Sequence, residues 1–377
     1  MKIVHVIPAL TKGGAERVVV ELANHAAANG HDVTVLAAIP AARALLADRL
    51  LPGVTQRFVA PKSRRPRSAY AYLLPWILRN RRWLLGQDIV HCHLTFGGVF
   101  GALLQTVRDL LRRRQPVVVE TYHAVGMKIP GLKRTVHAAL LRHRDAVALM
   151  AEDAYWRAFS ARRADRAVRL IPNGISEPPA PTGDALKHYR RSTGIPDRAI
   201  VVGTIGRLRF ERRPDLLLQA FGRLAGIHGE SHFLLGGEGP ERERLLAEAS
   251  RLGLANRVHL PGLVNDPAEP IGIIDLYLTV NVGHTTGVAA LEAVFAGVPA
   301  VALQLDTNHQ QGADDWIPSW SDPDELGAQA ATLLADKAAL QTLTTKQQLH
   351  ARQHHGVDSM ARAYERLYED ALARRGA

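Results

Sequence analysis

Short runs of β-branched and other apolar residues alternate with helical patterns along nearly the whole chain, and this alternation restricts the possible folds more than any other feature. Residues 2–7 form the first run, a helical pattern with apolar residues three and four positions apart follows, and residues 31–36 resume a strand pattern. Parallel strands need crossover connections of this kind. Strands that are covered on both faces have continuous apolar runs in their sequences. The alternation therefore predicts an α/β architecture with doubly wound parallel sheets.

A proline-rich stretch divides this pattern into two series. At 377 residues the chain is long for a single core. Pro178, Pro179 and Pro181 mark a stiff surface connection, and the strand patterns restart at residue 199. We predict a first doubly wound domain over 1–175, a linker over 176–198, a second doubly wound domain over 199–355, and a C-terminal helix over 356–377 that packs back towards the first domain. A ligand would then lie in the cleft between the two domains.

Composition excludes several classes of protein. Hydrophobic residues make up 47% of the chain, which is enough for packed cores, and no run of about 18 uncharged apolar residues predicts a membrane span. The first residues enter a strand pattern without the features of a signal peptide. Cys92 is the only cysteine, so an internal disulfide and a cysteine-rich metal site are excluded, and we expect Cys92 to be a buried core residue. These features predict a cytoplasmic protein.

Positive charge is concentrated in the first half of the chain. Up to Ala180 there are 27 lysines and arginines against 12 acidic residues, and beyond it there are 20 against 24. This imbalance predicts an anionic partner for the first half. Nucleic acid is not expected, because no nucleic-acid-binding motif accompanies the charge.

Residues 63–85 point to an anionic membrane surface as that partner. Aromatic and aliphatic side chains alternate there with arginines, which suits an element lying at a lipid interface, although Pro75 should kink or break a helix. A solvated helix with one face in the core is the alternative interpretation. The residues predicted to contact the membrane or acceptor are Arg64, Arg65, Arg67, Trp76, Arg79, Arg81, Arg82 and Trp83.

A polar loop that contains glycine runs directly into a helical pattern within residues 283–301. A loop of this kind presents free backbone N–H groups at a helix start, where a diphosphate is stabilised. Glu292 lies about one turn into the helix, and its carboxylate can accept hydrogen bonds from two ribose hydroxyls. Gly297 ends the helix. The stretch predicts a cradle for a nucleotide phosphate, with a βαβ connection without a ligand as the alternative.

Two positions in the first half are candidates for ligand contact. Gly13 and Gly14 open the first helix, but the sequence GGAE lacks the spacing of a dinucleotide fingerprint. We therefore expect a close approach to a ligand there, or a simple tight turn, without assigning a nicotinamide or flavin. His123 lies at the carboxyl end of its strand, where open α/β sheets collect ligands, although a lone histidine is more often structural.

Arginines cluster between a strand and a helix in the second half. Arg207, Arg212 and Arg213 follow the strand pattern that ends near residue 206. The fixed donors of arginine match phosphate oxygens, so this turn could clamp a diphosphate together with the helix start near Thr286. A solvated basic turn is the alternative.

Taken together, these motifs resemble those of the bacterial family 4 glycosyltransferases of the GT-B fold. The resemblance covers nearly the whole chain. It rests on the segments PALTKGGAERVVVELANHAAANGHDVTVL, LIPNGI, VGTIGRLRFERRPDLLLQAF, FLLGGEGPERERL, VHLPG and TGVAALEAVFAGVPAVAL.

The resemblance implies a role for each matched residue. His123 would lie near the transferred sugar, Arg207 would contact the diphosphate, and Arg212 stands where the family usually has lysine. Glu292 matches the second glutamate of the family's E-x7-E pattern, whereas His284 replaces the first, which in the family touches the transferred sugar. The implied catalytic residues are His123, Arg207, Arg212 and His284, and the implied donor-binding residues are Gly13, Gly14, Arg207, Arg212, Thr286, Gly287, Val288, Ala289 and Glu292.

The expected reaction is transfer of a sugar from a nucleoside-diphosphate sugar, with UDP favoured over GDP, to a lipid-linked or polysaccharide-precursor acceptor. The resemblance implies retention at the anomeric carbon. Arg207, Arg212 and the helix start would stabilise the leaving diphosphate, so no cofactor and no metal are expected. Residues 63–85 suggest that the protein acts at the cytoplasmic face of the inner membrane. Two alternatives remain. One is a sugar-nucleotide epimerase of the same fold, and the other is a non-catalytic nucleotide-sugar-binding partner, which the replacement at His284 makes plausible.

Overall fold

A computed structural model describes residues 1–11, 13–40, 46–61, 66–123, 144–150, 167–264, 266–281, 286–305 and 316–376. The chain forms two compact units. Unit 1 consists of Met1–Ile175 together with Val357–Ala377, and unit 2 consists of Ser176–Gly356.

Unit 1 is built on a parallel sheet whose strands are ordered β3-β2-β1-β4-β5-β6-β7. The strands are β1 (Lys2–Ile7), β2 (Asp32–Ala37), β3 (Val54–Phe58), β4 (Ile89–His93), β5 (Val117–Tyr122), β6 (Ala146–Leu149) and β7 (Ala167–Leu170). Among the described residues before 176, the helices are α1 (Gly14–Ala28), α2 (Leu73–Arg79), α3 (Arg81–Leu84) and α4 (Leu94–Leu110). The strand order reverses between β1 and β4, and such a switch point is where open α/β sheets bind ligands.

The core of unit 1 lies between this sheet and the helices that cover it. In α1 the residues spaced at helical intervals, such as Val18, Leu22 and Ala26, are buried. Phe96 and Phe100 of α4 are fully enclosed. Cys92 is buried among these residues, as the sequence predicts.

Unit 2 has a second parallel sheet with the order β10-β9-β8-β11-β12-β13. Its strands are β8 (Ile200–Ile205), β9 (Ser231–Gly236), β10 (Val258–Gly262), β11 (Leu276–Asn281), β12 (Ala300–Gln304) and β13 (Ser319–Trp320). Its helices are α5 (Gly183–Thr193), α6 (Pro214–Ile227), α7 (Arg242–Arg251), α8 (Ala268–Gly272), α9 (Val288–Phe295), α10 (Pro323–Ala335) and α11 (Lys337–His354). The switch point lies between β8 and β11, so the predicted α/β fold with two doubly wound parallel sheets is confirmed.

Helix α5 lies inside the range 176–198 that the sequence analysis assigns to a linker. The Thr182 side chain caps its start by accepting from the Ala185 N–H, and Gly194 ends it in a left-handed conformation. Leu186 packs so closely on α8 that a Cβ on Gly272 would lie 2.7 Å from its side chain. This part of the range is therefore a packed element of unit 2, and the stiff connection is confined to the prolines before it.

The last helix, α12 (Val357–Gly376), belongs to unit 1 although it follows unit 2 in the chain. It packs against α1, β5, β6 and β7. Its first residue, Val357, donates its backbone N–H to the Ile175 carbonyl at 3.1 Å. The chain thus returns to unit 1 beside the point where it left.

Pro75 does not break the helical segment in which it lies. A 3₁₀ turn over Pro66–Tyr72 leads directly into α2, where Pro75 occupies the first turn. Backbone N–H groups in the first turn have no partner within the helix, so proline removes no bond there. Among the described residues, no helix has the length and apolar character needed to cross a bilayer.

Candidate functional site

The site in unit 2 is organised at the carboxyl ends of β8 and β11, on either side of the switch point. Residues 206–213 follow β8, and α9 follows β11 after a loop. His284 of that loop lies outside the described residues, so the structure does not place it. The neighbouring positions Thr286 and Gly287 are described and precede α9.

A glycine-rich turn after β9 holds the arginine loop in place. Leu208 exchanges backbone hydrogen bonds with this turn, because its N–H donates to the Glu238 carbonyl at 3.0 Å and its carbonyl accepts from Glu241 at 3.1 Å. Gly237 has φ +149°, and a Cβ there would lie 1.8 Å from the Gly206 carbonyl oxygen. Only glycine permits this approach, so the GGEG sequence fixes the path of the chain on both sides of Arg207.

The three arginines of this loop are not equivalent. Arg213 forms two hydrogen bonds of 3.0 Å with Asp215, so its charge is already paired. Within the described part of the chain, the guanidinium groups of Arg207 and Arg212 make no hydrogen bond or salt bridge. Desolvation, followed by the nearby charge of Arg207, lowers the pKa of Arg212. Two neighbouring cations that form no ion pair within the described part of the chain are suited to an anion.

Tyr277 on β11 connects this loop to α9. Its hydroxyl accepts from the Ile205 N–H at 2.9 Å and donates to the Ile205 carbonyl at 3.1 Å. Burial raises the pKa of Tyr277 to about 12, and the charge of Glu292 also raises it while that of Arg212 lowers it. Arg212 and Glu292 therefore both lie within electrostatic reach of one buried phenol. Glu292 itself is 8% exposed.

Among the described residues, which leave out 282–285 just before the helix, no side chain caps the start of α9. Gly287 occupies the N-cap position in an extended conformation and is exposed, while its carbonyl accepts from Ala290 and Leu291. The backbone N–H groups of Val288 and Ala289 lie in the first turn, where a helix leaves its donors without internal partners. A helix start of this kind attracts an anion.

In unit 1, Gly13 and Gly14 begin α1 as the sequence predicts. Gly13 is the N-cap residue, and the Glu16 carboxylate folds back over it and accepts from the Thr11 hydroxyl at 3.1 Å. A Cβ on Gly13 would lie 2.2 Å from this carboxylate. The glycine therefore leaves room for an acidic group at the helix start.

His123 follows β5 directly and is joined to other histidines of the sheet. Its Nε2 lies 3.1 Å from Nδ1 of His93, and Nε2 of His93 lies 3.2 Å from Nδ1 of His5. These residues come from β5, β4 and β1, on the same face and near the carboxyl ends of the strands. Burial lowers the pKa values of His5 and His123 to about 4 and that of His93 well below its usual range. All three rings are therefore neutral at physiological pH.

His91 belongs to the same layer but has different partners. Its Nδ1 lies 2.7 Å from the Tyr368 hydroxyl and its Nε2 lies 2.7 Å from the Thr121 hydroxyl, which in turn lies 2.8 Å from the Tyr364 hydroxyl. Both tyrosines belong to α12. The last helix of the chain thus covers the histidine layer and hydrogen-bonds to it.

Sequence reasoning identified His123 but missed the layer that supports it. His5, His91 and His93 could have been noticed from the H-x-H pattern of β4 and the histidine of the first strand. Their ring nitrogens lie within 4.8 Å of one another, so in the described part of the chain they form a group with spacing suited to a metal ion. Because both nitrogens of His91 already contact hydroxyl groups, the observed arrangement is a hydrogen-bonded layer.

The predicted membrane segment presents a different face from the one expected. Trp76 and Trp83 are half-buried, pack edge to face with ring centroids 6.2 Å apart, and contact the core. The exposed side chains are instead Tyr72, Leu74 and Leu78 together with Arg79, Arg81 and Arg82. Arg64 and Arg65 lie outside the described residues, and Arg67 lies in the 3₁₀ turn before α2.

Comparison with known families matches both halves of the chain. A family model described as Glycosyltransferase Family 4 matches residues 12–177. A second model, described as Glycosyl transferases group 1, matches residues 199–336.

Individual relatives and solved structures agree with these matches. A D-inositol 3-phosphate glycosyltransferase of Acidothermus cellulolyticus is 27% identical over 96% of this chain and 87% of its own. An N-acetyl-alpha-D-glucosaminyl L-malate synthase of Bacillus anthracis is 21% identical over 76% of this chain and 75% of its own. The crystal structure of HepE from Anabaena with UDP-glucose has the same fold, with a TM-score of 0.75 at 20% identity over 99% of each chain.

Proposed function

Because the chain is a glycosyltransferase with a family 4 domain and a group 1 domain, we propose that it transfers a sugar from a UDP-sugar to an anionic acceptor, with retention at the anomeric carbon. The observation that carries the donor half of this proposal is the pair Arg207 and Arg212, two neighbouring guanidinium groups that form no hydrogen bond or salt bridge among the described residues. An anion of two phosphates would supply the missing negative charge.

Three elements of unit 2 support a diphosphate at this position. The two arginines supply charge, the start of α9 supplies backbone N–H groups at Val288 and Ala289, and Tyr277 holds the end of β8 from which Arg207 emerges. Glu292 would then accept from the ribose hydroxyls. UDP is favoured over GDP because UDP is the nucleotide in the solved HepE complexes.

This arrangement suits the charge that develops during the reaction. Breaking the anomeric C–O bond leaves negative charge on the departing diphosphate and gives the sugar oxocarbenium character. Arg207, Arg212 and the helix start would stabilise the leaving group by electrostatics that are already in place. We propose that no metal is needed for this step. His123, at the carboxyl edge of the unit 1 sheet, would contact the transferred sugar.

The acceptor is proposed to be anionic and carried at a membrane surface. The first half of the chain holds 27 lysines and arginines against 12 acidic residues up to Ala180. The relatives are named for inositol 3-phosphate and malate, both of which are anionic. In this chain the exposed leucines of α2 lie beside arginines, which suits an anionic lipid surface and favours a lipid-linked acceptor in cell-envelope glycan synthesis.

The donor proposal is tested by calorimetric titration of the protein with UDP and with GDP in the presence of a chelator. We expect binding of UDP with at least tenfold preference over GDP. Preference for GDP would show that the donor is a GDP-sugar and not a UDP-sugar. Binding of UDP only after a divalent cation is added would contradict the metal-free site.

The reaction is tested by following UDP release from a panel of UDP-sugars, with and without acceptors. The acceptors are membrane lipid extract, inositol 3-phosphate and malate. Transfer predicts UDP release that depends on one acceptor. An epimerase would change the sugar without any acceptor, and a non-catalytic binder would retain the donor unchanged.

A further inference from the structure

Three histidines from three adjacent strands form a hydrogen-bonded chain that ends at the proposed sugar-contacting residue. His5 lies on β1, His93 is the last residue of β4, and His123 is the first residue after β5. The chain runs from His5 through His93 to His123, with nitrogen-to-nitrogen distances of 3.2 and 3.1 Å. His5 and His93 are 1% and 0% exposed, whereas His123 is partly exposed.

Each contact in this chain holds one proton between two nitrogens. A neutral imidazole has one N–H donor and one acceptor nitrogen, and both nitrogens of His93 are engaged. If His93 donates through Nδ1 to His123, its Nε2 must accept from Nδ1 of His5. If His93 instead donates through Nε2 to His5, its Nδ1 must accept from Nε2 of His123.

Within each arrangement the three rings share one tautomer, and the two arrangements differ in which tautomer it is. In the first arrangement all three rings carry the proton on Nδ1, and in the second all three carry it on Nε2. The nitrogen of His123 that does not contact His93 is Nδ1. It is therefore a donor in one arrangement and an acceptor in the other, and the buried rings decide which.

We propose that His93 and His5 are positioning residues that fix the tautomer and ring orientation of His123, and so decide whether its Nδ1 donates to or accepts from the sugar. The sugar contact rests on the proposed function, but the tautomer assignment does not. Burial keeps the rings neutral, which is the condition under which two nitrogens can share one proton in this way.

A metal ion at His5, His91 and His93 is the competing explanation of the same layer. It would require a ring nitrogen of His91, and both of these nitrogens lie 2.7 Å from the hydroxyl groups of Thr121 and Tyr368. Binding a metal through either nitrogen of His91 would break one of these contacts. The hydrogen-bonded chain accounts for all of these distances without such changes.

The test reads tautomers directly from protein labelled with ¹⁵N-histidine, using long-range ¹H–¹⁵N spectra of the protein without donor. His123→Gln, His93→Asn and His5→Asn spectra identify the three signals. We expect His5, His93 and His123 to be neutral and to share one tautomer at pH 7. Different tautomers among the three rings would overturn the proposal, and so would one tightly bound zinc per chain found by elemental analysis.

Variants of His93 test whether it acts on His123. His93→Phe keeps a ring but removes both nitrogens, so we expect His123 to show a mixture of tautomers and kcat to fall at least tenfold, with UDP affinity unchanged. His93→Asn places an amide where Nδ1 was, and it should restore a single His123 tautomer and part of kcat. Tyr368→Phe, which removes another buried hydrogen bond of the same layer, should leave the His123 tautomer unchanged.

Failure of the positioning proposal can be told apart from failure of the proposed function. An unchanged His123 tautomer in both His93 variants would end the proposal even if sugar transfer is observed. A tautomer that follows His93, in a protein that transfers no sugar, would leave the positioning role in place and remove the sugar contact. Should His93→Phe fail to fold, the shared tautomer of the wild-type rings still decides the matter.

Discussion

The Tyr277 hydroxyl bonds both backbone groups of Ile205, accepting from its N–H at 2.9 Å and donating to its carbonyl at 3.1 Å. Ile205 pairs with Gly236 of β9 on one side, but the pairing of β8 with β11 ends at Gly203. The Tyr277 side chain thereby takes the place of a β11 backbone partner for Ile205. Since Arg207 follows two residues later, this contact sets the direction in which the arginine loop leaves the sheet.

We expect Tyr277→Phe to weaken UDP binding about fivefold, because both hydrogen bonds between the hydroxyl and Ile205 are lost while the ring stays packed. Calorimetric titration measures the change. Tyr364→Phe removes a buried hydroxyl from unit 1 and serves as the control, with no expected change in UDP affinity. Equal affinities for all three proteins would show that the Ile205 contact does not position the anion site.

Substitution of single arginines should separate the unpaired from the paired charges of the loop. Arg207→Ala should weaken UDP binding by about 1.5 to 3 kcal/mol, the range for a hydrogen bond to a charged group. Arg213→Ala should have less than half of this effect, because its guanidinium is already bound to Asp215. The same titration measures both, and equal losses would contradict the assignment of the diphosphate to Arg207.

The buried ion pair of unit 1 should be essential for stability. Arg144 is fully buried and donates to the Glu120 carboxylate and to the Gln105 amide, each at 2.6 Å, and to the Gly98 carbonyl. Glu120→Gln removes the carboxylate charge that the buried guanidinium contacts at 2.6 Å, so urea unfolding should show a loss of about 3 to 5 kcal/mol.

An exposed pair provides the matched control for this substitution. Glu248 and Arg251 lie 2.6 Å apart on the surface of α7, where solvent screens their attraction, so Glu248→Gln should not change stability measurably. Replacing both Glu120 and Arg144 by apolar residues should recover much of the stability lost in Glu120→Gln. Equal effects of the two glutamate substitutions would show that the buried pair contributes no more to the free energy of unfolding than the exposed pair.

Stability should fall on acidification because the histidine layer is buried in its neutral form. Burial lowers the pKa of His5 to about 4 in the folded chain, so between pH 6.5 and 4 the unfolded chain binds a proton that the folded chain does not. The contribution is therefore present above pH 6.5 and is lost as the pH falls towards 4. For His5 alone, a change from pH 7 to 5 should cost about 2 kcal/mol.

Urea unfolding at pH 7 and pH 5 measures this dependence. His5→Asn should reduce the difference between the two pH values by about 2 kcal/mol, since asparagine does not titrate. His188→Asn, at an exposed position of α5, is the control and should leave the difference unchanged. A pH dependence of His5→Asn equal to that of the wild type would contradict a neutral buried His5.

Membrane binding should depend on the exposed leucines of α2. We expect sedimentation with liposomes that requires anionic lipid and falls as salt is raised, because arginines beside Leu74 and Leu78 attract the headgroups. The double variant Leu74→Glu, Leu78→Glu should lose most of this binding. Leu349→Glu, at a leucine of α11 that is more exposed than either, should retain it. Equal partitioning of the wild type onto neutral and anionic vesicles would argue against the proposed membrane face.

The parts of the fold that depend on local patterns could be predicted from the sequence. Strand runs and helical spacing determine α1 and its buried positions Val18 and Leu22, and the glycines at 13 and 14 mark its start. Such periodicities arise from the geometry of single elements. The two doubly wound sheets follow from repeating these units along the chain.

Contacts between distant elements could not be predicted in this way. Nothing in the run LYLTVN shows that Tyr277 bonds Ile205, because the two residues are 72 positions apart. The sequence also did not show that Trp76 faces the core. An amphipathic segment can bury either its aromatic or its aliphatic side, and here the packing of Trp76 against Phe100 determines which side is buried. The histidines of β1, β4 and the end of β5 form one layer only in the register of these three adjacent strands, which the sequence does not show.

The position of α12 determines the order in which the protein can fold during synthesis. A ribosome that has released the first 356 residues has completed unit 2 but has not yet released the helix that covers β5, β6 and β7, so unit 1 still lacks Tyr364 and Tyr368. Cutting the gene at residue 175 therefore yields an unfinished domain. A shortened chain that lacks 176–356 and joins Ile175 directly to Val357, whose backbone N–H already lies 3.1 Å from the Ile175 carbonyl, would supply unit 1 as one continuous polypeptide.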